Sequence, residues 1–236
     1  MDQFILIAER KTQNELLTLV ARQIKDVNVQ TAKVIVLVGG AASGKSMIAS
    51  KLKNLLDGAV VLSTDDYLIS DRKYRHEHLD NGDPLKKYNA VLLNEHIDKT
   101  KNLKSGKSLK VPERDEHTGI ALDIGEKNFP KNITGPIEYL IIEGDFQLVK
   151  NPDYVIYLDV PDEVRKVNRI ERDFKKRNME SREEVEENFE LRQKNQHVPY
   201  TEPVKKIADM VIEAKTEKQP QGGFSYLYNI YLKKHG

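Results

Sequence analysis

Short apolar runs alternate with longer amphipathic stretches along most of this 236-residue chain. Four runs, at residues 33–38, 59–64, 139–144 and 154–160, are almost entirely apolar, which is typical of strands buried on both faces of a sheet. Residues 47–56, 90–104, 162–177 and 181–196 are predicted as helices between and after them. The alternation predicts one α/β domain with a mainly parallel sheet, and residues 205–212 are predicted as its last strand.

Both ends of the chain also show apolar residues at helical spacing. We expect an N-terminal helix over residues 1 to about 30, docked on the edge of the domain, and a short C-terminal amphipathic helix after a polar linker at 215–223. The apolar positions are Leu16, Leu17, Val20, Ile24 and Val27 at one end and Phe224, Leu227, Tyr228 and Tyr231 at the other. The predicted division is an extension at 1–30, a central domain at 31–214 and the linker with its helix at 215–236.

Composition excludes several classes of protein. No apolar run approaches the roughly 20 residues of a membrane span, and the N-terminus, MDQFILIAERK, is a poor signal peptide. Zero cysteines excludes disulfides and thiolate metal sites. A formal net charge of +1 gives no electrostatic case for nucleic acid or a membrane surface. We therefore expect a cytoplasmic protein whose partners are small molecules.

The stretch GGAASGKS at 39–46, directly after the first apolar run, fits G-x-x-x-x-G-K-[ST], the P-loop. Its glycines allow a tight turn in which backbone N–H groups point at phosphate oxygens. Lys45 would reach the β- and γ-phosphates, and Ser46 would bind Mg²⁺. A helix follows at once, and its N-terminal dipole favours an anion. The nucleotide-binding residues predicted here are Gly39, Gly40, Ala41, Ala42, Ser43, Gly44, Lys45, Ser46 and Met47.

Acidic residues follow two other predicted strands, at the edge where parallel sheets bind ligands. Asp65 and Asp66 come after residues 59–64, and Glu143 ends the run at 139–143. Asp65 is interpreted as a general base, a Mg²⁺ ligand or both, and Asp66 as a helix cap or supporting residue. Glu143 is expected to orient Mg²⁺ or its waters.

Two polar segments are candidates for the acceptor side of a site. Residues 81–84, NGDP, have the signature of a turn, so Asp83 is open to a purely structural role. Residues 109–112 predict a strand, with a return strand at 120–124. The charged stretch between them, which includes Arg114 and His117, forms either a solvated hairpin tip or a substrate-facing loop. The cluster at 76–78 is interpreted as solvated histidines, because its spacing matches no common zinc signature.

Several of these segments occur in the same order in a known family. The matching pieces are GGAASGKS (39–46), LSTDDYL (62–68), NGDP (81–84), LKSGKSLKVP (103–112), LIIEG (140–144), DYVIYLDVPDEVRKVNRIERD (153–173) and TEPVKKIADMVIE (201–213). Across residues 33 to 213 the chain resembles the uridine kinase/phosphoribulokinase group of P-loop kinases, which includes a type of pantothenate kinase. The resemblance implies a three-layer P-loop fold with a helical lid at about 162–180, flanked here by the extra N-terminal and C-terminal helices.

The resemblance also implies roles for single residues. Asp65 matches the catalytic aspartate, which lies near Mg²⁺ and deprotonates or orients the acceptor hydroxyl; Ser46 and Glu143 match the other magnesium-associated residues. Arg169 and Arg172 match lid arginines that clamp phosphates, and together with Lys45 they complete the predicted catalytic set. The candidate acceptor-binding residues are Tyr67, Asp83, Arg114 and His117. The implied reaction transfers the γ-phosphoryl group of ATP, with Mg²⁺, to a hydroxyl of a nucleoside-like or sugar-like acceptor.

Two features of the sequence leave the acceptor open. Where uridine kinases have an aromatic-Asp-aromatic segment followed by His-x-Arg, this chain has RDEHTG at 114–119, and Asn168 replaces the first of two adjacent lid arginines. A kinase for another acceptor, of the pantothenate or sugar type, is the main alternative, and a regulatory P-loop NTPase is another. No N-K-x-D motif of a GTPase is present. A homo-oligomer is also left open.

Overall fold

The computed structural model describes residues 3–29, 31–71, 74–75, 83–115, 119–120, 130–177, 181–220 and 223–234. The strands are β1 (Phe4–Lys11), β2 (Lys33–Gly39), β3 (Ala59–Ser63), β4 (Ser108–Val111), β5 (Lys131–Thr134), β6 (Tyr139–Glu143), β7 (Tyr154–Asp159), β8 (Met210–Lys218) and β9 (Phe224–Lys233). The α-helices are α1 (Gln13–Asp26), α2 (Lys45–Leu55), α3 (Ala90–Lys101), α4 (Asp162–Arg177) and α5 (Arg182–Arg192). A π-helix at Gln193–Thr201 continues α5, and 3₁₀ turns lie at Thr64–Tyr67, Pro84–Lys87, Phe146–Leu148 and Glu202–Lys206.

Seven strands form the central sheet in the order β1-β9-β8-β7-β2-β6-β3. The five from β8 to β3 are parallel, as the apolar runs predicted, and β9 and β1 extend that sheet by antiparallel pairing. Side chains of β2 alternate between the two faces: Ile35 and Leu37 pack on one side, while Val34, Val36 and Val38 pack on the other. The first face is covered by α1 and α2 and the second by α3, so the architecture is a three-layer α/β fold.

The helix predicted at the N-terminus is confirmed only in its second half, and the helix predicted at the C-terminus is wrong. Residues 4–11 form strand β1, and only Gln13–Asp26 is helical, starting at a capping box formed by Thr12 and Glu15. The C-terminal segment is strand β9, and β8 runs to Lys218 through the predicted linker. Apolar residues at helical spacing suggested helices, but the backbone of β1 pairs with β9 more than 200 positions away, from Phe4 opposite Lys233 to Lys11 opposite Tyr228.

Three smaller predictions also differ from the structure. The strand that pairs with β4 is β5, whereas the return strand was predicted at 120–124; residues 121–129 lie outside the described part of the chain. The last parallel strand begins at Met210, because residues 202–206 form a 3₁₀ turn. The second helix after β7 ends at Arg192 and passes into the π-helix, which includes Pro199. In the described ranges, no helix has the length and apolar character needed to cross a bilayer.

Candidate active site

The loop between β2 and α2 carries the predicted phosphate-binding motif. β2 ends at Gly39 and α2 begins at Lys45, so the residues between them must reverse the chain within a few positions. Gly44 caps α2 with a left-handed φ of 89°, which glycine adopts without steric cost. Ala42 also has a positive φ, of 61°. The motif therefore has the strand–loop–helix context that its sequence requires.

Side chains hold this loop from within and from behind. The Lys45 ammonium donates hydrogen bonds to the carbonyls of Gly39, at 2.8 Å, and Gly40, at 3.0 Å. Burial lowers the pKa of Lys45, and the carboxylates of Glu143, Asp145 and Asp65 partly offset that effect. Behind the loop, the fully buried guanidinium of Arg165 packs so closely on Gly40 that a Cβ atom there would collide with it. The position thus admits only glycine unless Arg165 moves.

Strand register brings the acidic residues to the P-loop. Leu37, Glu143 and Ser63 lie opposite one another on β2, β6 and β3, and the Ser63 hydroxyl donates to the Glu143 carboxylate at 2.8 Å. Asp65 follows Ser63 by two residues, and Asp145 follows Glu143 by two. Because parallel strands end at one edge of the sheet, these carboxylates meet at the same place as Lys45.

Asp65 has a cationic and a phenolic neighbour. Its carboxylate lies 2.9 Å from the Arg114 guanidinium, and the Tyr88 hydroxyl lies 3.5 Å from it. Asp66 is buried and accepts the backbone N–H of Arg114 at 3.0 Å, the supporting role that was one of its two interpretations. The structure thus brings Arg114 to both Asp65 and Asp66, the second of which is 48 residues away in the chain.

Asp145 is a site residue that sequence reasoning missed. Burial raises the pKa of its carboxyl group, and the charge of Asp65 raises it further. Its backbone N–H donates to the Thr64 hydroxyl at 3.2 Å, which ties the end of β6 to the turn that carries Asp65. The signal was present in the sequence, since Asp145 stands only two positions after Glu143 at the same strand end.

The two lid arginines share one buried acid. The Arg169 Nε donates to the Asp173 carboxylate at 2.9 Å, and the Arg172 Nε donates to its other oxygen at 3.0 Å. Asp173 is fully buried, so its charge orients both guanidinium groups on α4. Asp173 lies one turn after Arg169 and directly after Arg172, and its carboxylate orients both of these predicted lid residues.

One cleft of about 680 Å³ joins these parts. Predicted site residues that line it are Gly39, Ala41, Ala42, Ser43, Gly44, Lys45, Ser46, Met47, Asp65, Arg114, Glu143, Arg169 and Arg172. Lining residues that were not predicted as site residues include Arg75, Tyr88, Asp145, Arg165, Arg192 and His197. The last three lie on α4, α5 and the π-helix. The sequence predicted helices in this region, but no local pattern indicated which of their side chains would line the cleft.

Three predicted residues lie outside the lining of the cleft. Tyr67 is fully buried, and its hydroxyl is 2.9 Å from Nδ1 of His96. Asp83 is exposed, and its carboxylate caps the turn at Pro84–Lys87 by accepting the Leu85 N–H at 2.9 Å. Gly40 lies beside the cleft, against Arg165. His117 lies outside the described residues, so its role and the acceptor role of Asp83 stay predictions.

A P-loop at the end of a central parallel strand, faced by carboxylates and by a helix carrying arginines, defines a P-loop phosphotransferase. Residues 34–219 match the Phosphoribulokinase / Uridine kinase family. The chain belongs to that family, and it is a phosphotransferase that acts on a hydroxyl group.

Curated relatives agree with the family match. The chain is 28% identical over 214 residues to a uridine kinase of Borrelia turicatae, with 86% of this chain and 96% of the relative covered. It is 30% identical over 204 residues to a uridine kinase of Staphylococcus aureus, with 83% and 90% covered.

Solved structures show the same fold. A protein of Silicibacter sp. TM1040, provisionally described as a fructose transport system kinase, superposes with a TM-score of 0.60 at 17% identity, covering 81% of this chain and 94% of that one. A possible uridine kinase from Bacillus stearothermophilus gives 0.50 at 18% identity, covering 84% and 97%. The predicted P-loop fold is confirmed.

Proposed function

We propose that this protein transfers the γ-phosphoryl group of Mg·ATP to a hydroxyl of a nucleoside-like or sugar-like acceptor, with uridine as the first candidate. One observation carries the proposal: Asp65 and Lys45 line the same cleft, after the ends of β3 and β2, the two strands that flank β6 in the sheet. A kinase of this type needs a base for the attacking hydroxyl within reach of the phosphate cradle. The names of the curated relatives supply uridine.

The P-loop fits the phosphates of a nucleotide. The Ser43 hydroxyl lines the cleft and is buried, yet it has no hydrogen-bond partner within the described ranges. A buried polar group without a partner costs free energy unless a ligand satisfies it. A phosphate oxygen would accept that hydrogen bond, and Lys45 would neutralise its charge.

The acidic edge fits a magnesium ion. Ser46, Asp65, Glu143 and Asp145 offer the hard oxygen ligands that Mg²⁺ prefers, directly or through waters. Mg²⁺ in such sites is commonly held by one or two carboxylates together with substrate phosphates. When bound, Mg²⁺ would neutralise phosphate charge during transfer.

The remaining residues would position the acceptor and screen charge. Asp65 would accept the proton of the hydroxyl or fix its orientation, while Arg114 holds the Asp65 carboxylate in place. Arg169 and Arg172, oriented by Asp173, would stabilise the charge that spreads over the transferred group.

A second candidate acceptor carries a negative group, as a sugar phosphate or a pantothenate-like carboxylate does. Two guanidinium groups line the cleft near Asp65, those of Arg114 and of Arg75, and the second is buried and donates to main-chain carbonyls of Ile69, Ser70 and Gly119. Cationic side chains at this end of the cleft would also suit an anionic group on the acceptor.

The test measures ADP release with Mg·ATP across uridine, cytidine, pantothenate, ribulose 5-phosphate and simple sugars. Asp65→Asn is expected to lower acceptor-stimulated turnover by roughly 10² to 10⁴-fold while ATP binding changes little, because it removes a base and keeps the shape. Asp98→Asn, on the exposed face of α3, is the matched control. Slow release that ignores every acceptor would favour an acceptor outside this panel or a regulatory NTPase. Wild-type turnover by Asp65→Asn would refute the assignment of the base.

A further inference from the structure

The C-terminal hairpin, formed by β8 and β9, is linked to the P-loop through the side chains of Tyr226 and Asn168. Tyr226 lies on β9, beyond the residues 34–219 that match the family. Its hydroxyl lies 3.0 Å from Nδ2 and 3.2 Å from Oδ1 of Asn168 on α4, so the two side chains can exchange hydrogen bonds in both directions. Asn168 lines the cleft, whereas Tyr226 is outside its lining.

Helix α4 holds the P-loop by two consecutive carbonyls. The Asn168 amide also donates to the carbonyl of Ala42 at 3.3 Å, and the Arg165 guanidinium donates to that of Ala41 at 3.4 Å. The two donors are three residues apart, so they project from one face of the helix. Ala42 is the loop residue with a left-handed φ of 61°, a conformation that costs a residue with a Cβ free energy and persists only when neighbours hold it.

Tyr226 is itself held firmly. Its ring stacks on that of Tyr228, with centroids 6.3 Å apart and planes 15° from parallel, and Tyr228 is buried. Tyr226 is also paired with Thr216 across the β8–β9 ladder. A rigid phenol therefore sets the position of the Asn168 amide, and the amide supports the strained turn of the P-loop.

We propose that Tyr226 is a positioning residue for the phosphate donor. Through Asn168 it holds the backbone of the P-loop at Ala42 in the conformation in which the loop's N–H groups can bind the phosphates. The inference rests on the proposed function, since it takes a nucleoside triphosphate as the donor. It assigns the C-terminal hairpin a part in donor binding in addition to its place in the sheet between β7 and β1.

The experiment titrates ATP with Mg²⁺ into the full chain without any acceptor. Tyr226→Phe removes one hydroxyl and should raise the ATP Kd by about 2- to 10-fold, the effect of one neutral hydrogen bond. Asn168→Ala should raise it at least as much, and the double variant should bind no more weakly than Asn168→Ala alone. In turnover assays with an accepted substrate, Tyr226→Phe should raise the ATP KM and leave the acceptor KM unchanged.

Tyr231→Phe is the matched control. Tyr231 lies on the same strand as Tyr226, but its hydroxyl donates to Glu213 at 3.0 Å, and neither residue lines the cleft. That variant should keep the wild-type ATP Kd. The inference would be overturned by an unchanged ATP Kd in Tyr226→Phe or by an equal rise of the Kd in Tyr231→Phe. Full additivity of Tyr226→Phe and Asn168→Ala in the double variant would also overturn it. If the wild-type chain binds no ATP, the proposed function fails as well, whereas wild-type binding that Tyr226→Phe leaves intact overturns the inference alone.

Discussion

The Arg114 guanidinium lies 2.9 Å from the Asp65 carboxylate, while the backbone N–H of the same arginine donates to Asp66 at 3.0 Å. Arg114, from the segment after β4, therefore contacts both of the consecutive acidic residues that follow β3. The Asp65 side chain remains 42% exposed toward the cleft, but that of Arg114 is only 19% exposed. Because Asp65 is the more exposed member of the pair, it is the one that an acceptor would contact in the proposed reaction.

Replacing Arg114 by glutamine should affect the acceptor and spare the donor. We expect Arg114→Gln to raise the acceptor KM by about 10-fold, because a charge-assisted contact is lost beside Asp65. The measurement is steady-state kinetics with either substrate varied, and Lys110→Gln on β4 is the control for lost positive charge. An acceptor KM equal to that of the wild type would show that Arg114 acts only on the fold.

Asp145→Asn should weaken the response to magnesium. Burial and the nearby charge of Asp65 raise the pKa of Asp145, so its ionised form gains most when a cation is bound. We expect the Mg²⁺ concentration for half-maximal turnover to rise by about 10-fold. The wild type should approach the variant as pH falls, since a protonated Asp145 resembles asparagine. A pH-independent difference, or none, would contradict this role.

Gly40→Ala should damage the P-loop through Arg165. The added methyl group meets a guanidinium that is fully buried and held by Val160, Asp162 and Gln193. We expect a loss of about 1–3 kcal/mol in the free energy of unfolding, measured by urea denaturation, with weaker ATP binding. In the background of Arg165→Ala the same change should cost little, because the colliding group is gone. Equal costs in the two backgrounds would disprove the clash.

Stability should fall in mild acid because of His197. Burial, with the positive charges of Arg165 and Lys45, lowers the pKa of His197 from 6.5 to about 4. As pH falls from 6.5 toward 4 the unfolded chain takes up this proton and the folded chain does not, so stability present above pH 6.5 is lost. Over that range His197→Gln should remove part of the wild-type loss of stability in urea unfolding. Parallel pH curves for the two proteins would contradict the assignment.

Local pattern was sufficient for the centre of the fold. The apolar run before GGAASGKS and the helix after it were predicted from one segment, and β2, α2, β3, β6 and β7 lie where the sequence placed them. Buried parallel strands are almost wholly apolar because helices cover both their faces. Each such strand can therefore be predicted from its own short sequence, without knowledge of the strands beside it. The P-loop is also a contiguous motif whose chemistry is local.

The missed residues depend on contacts between distant segments. Tyr88 and Arg75 sit in ordinary polar sequence and become part of the site only because their segments fold beside Asp65. Asp173 is one more acid in a charged helix until the structure buries it between Arg169 and Arg172. Sequence cannot separate a solvated charge from an orienting one, because the difference is burial.

The phosphate-binding loop, the parallel core and the family could be predicted from the amino-acid sequence, because short-range spacing encodes a strand–turn–helix and the ordered motifs repeat a known set. The two terminal strands, the pairing of Arg114 with Asp65 and the link from Tyr226 through Asn168 to Ala42 became visible only in the folded chain. Antiparallel pairing at a sheet edge, and hydrogen bonds between groups about 50 to 200 residues apart, depend on the positions of distant segments in the folded chain. The local periodicity of apolar residues carries no information about those positions.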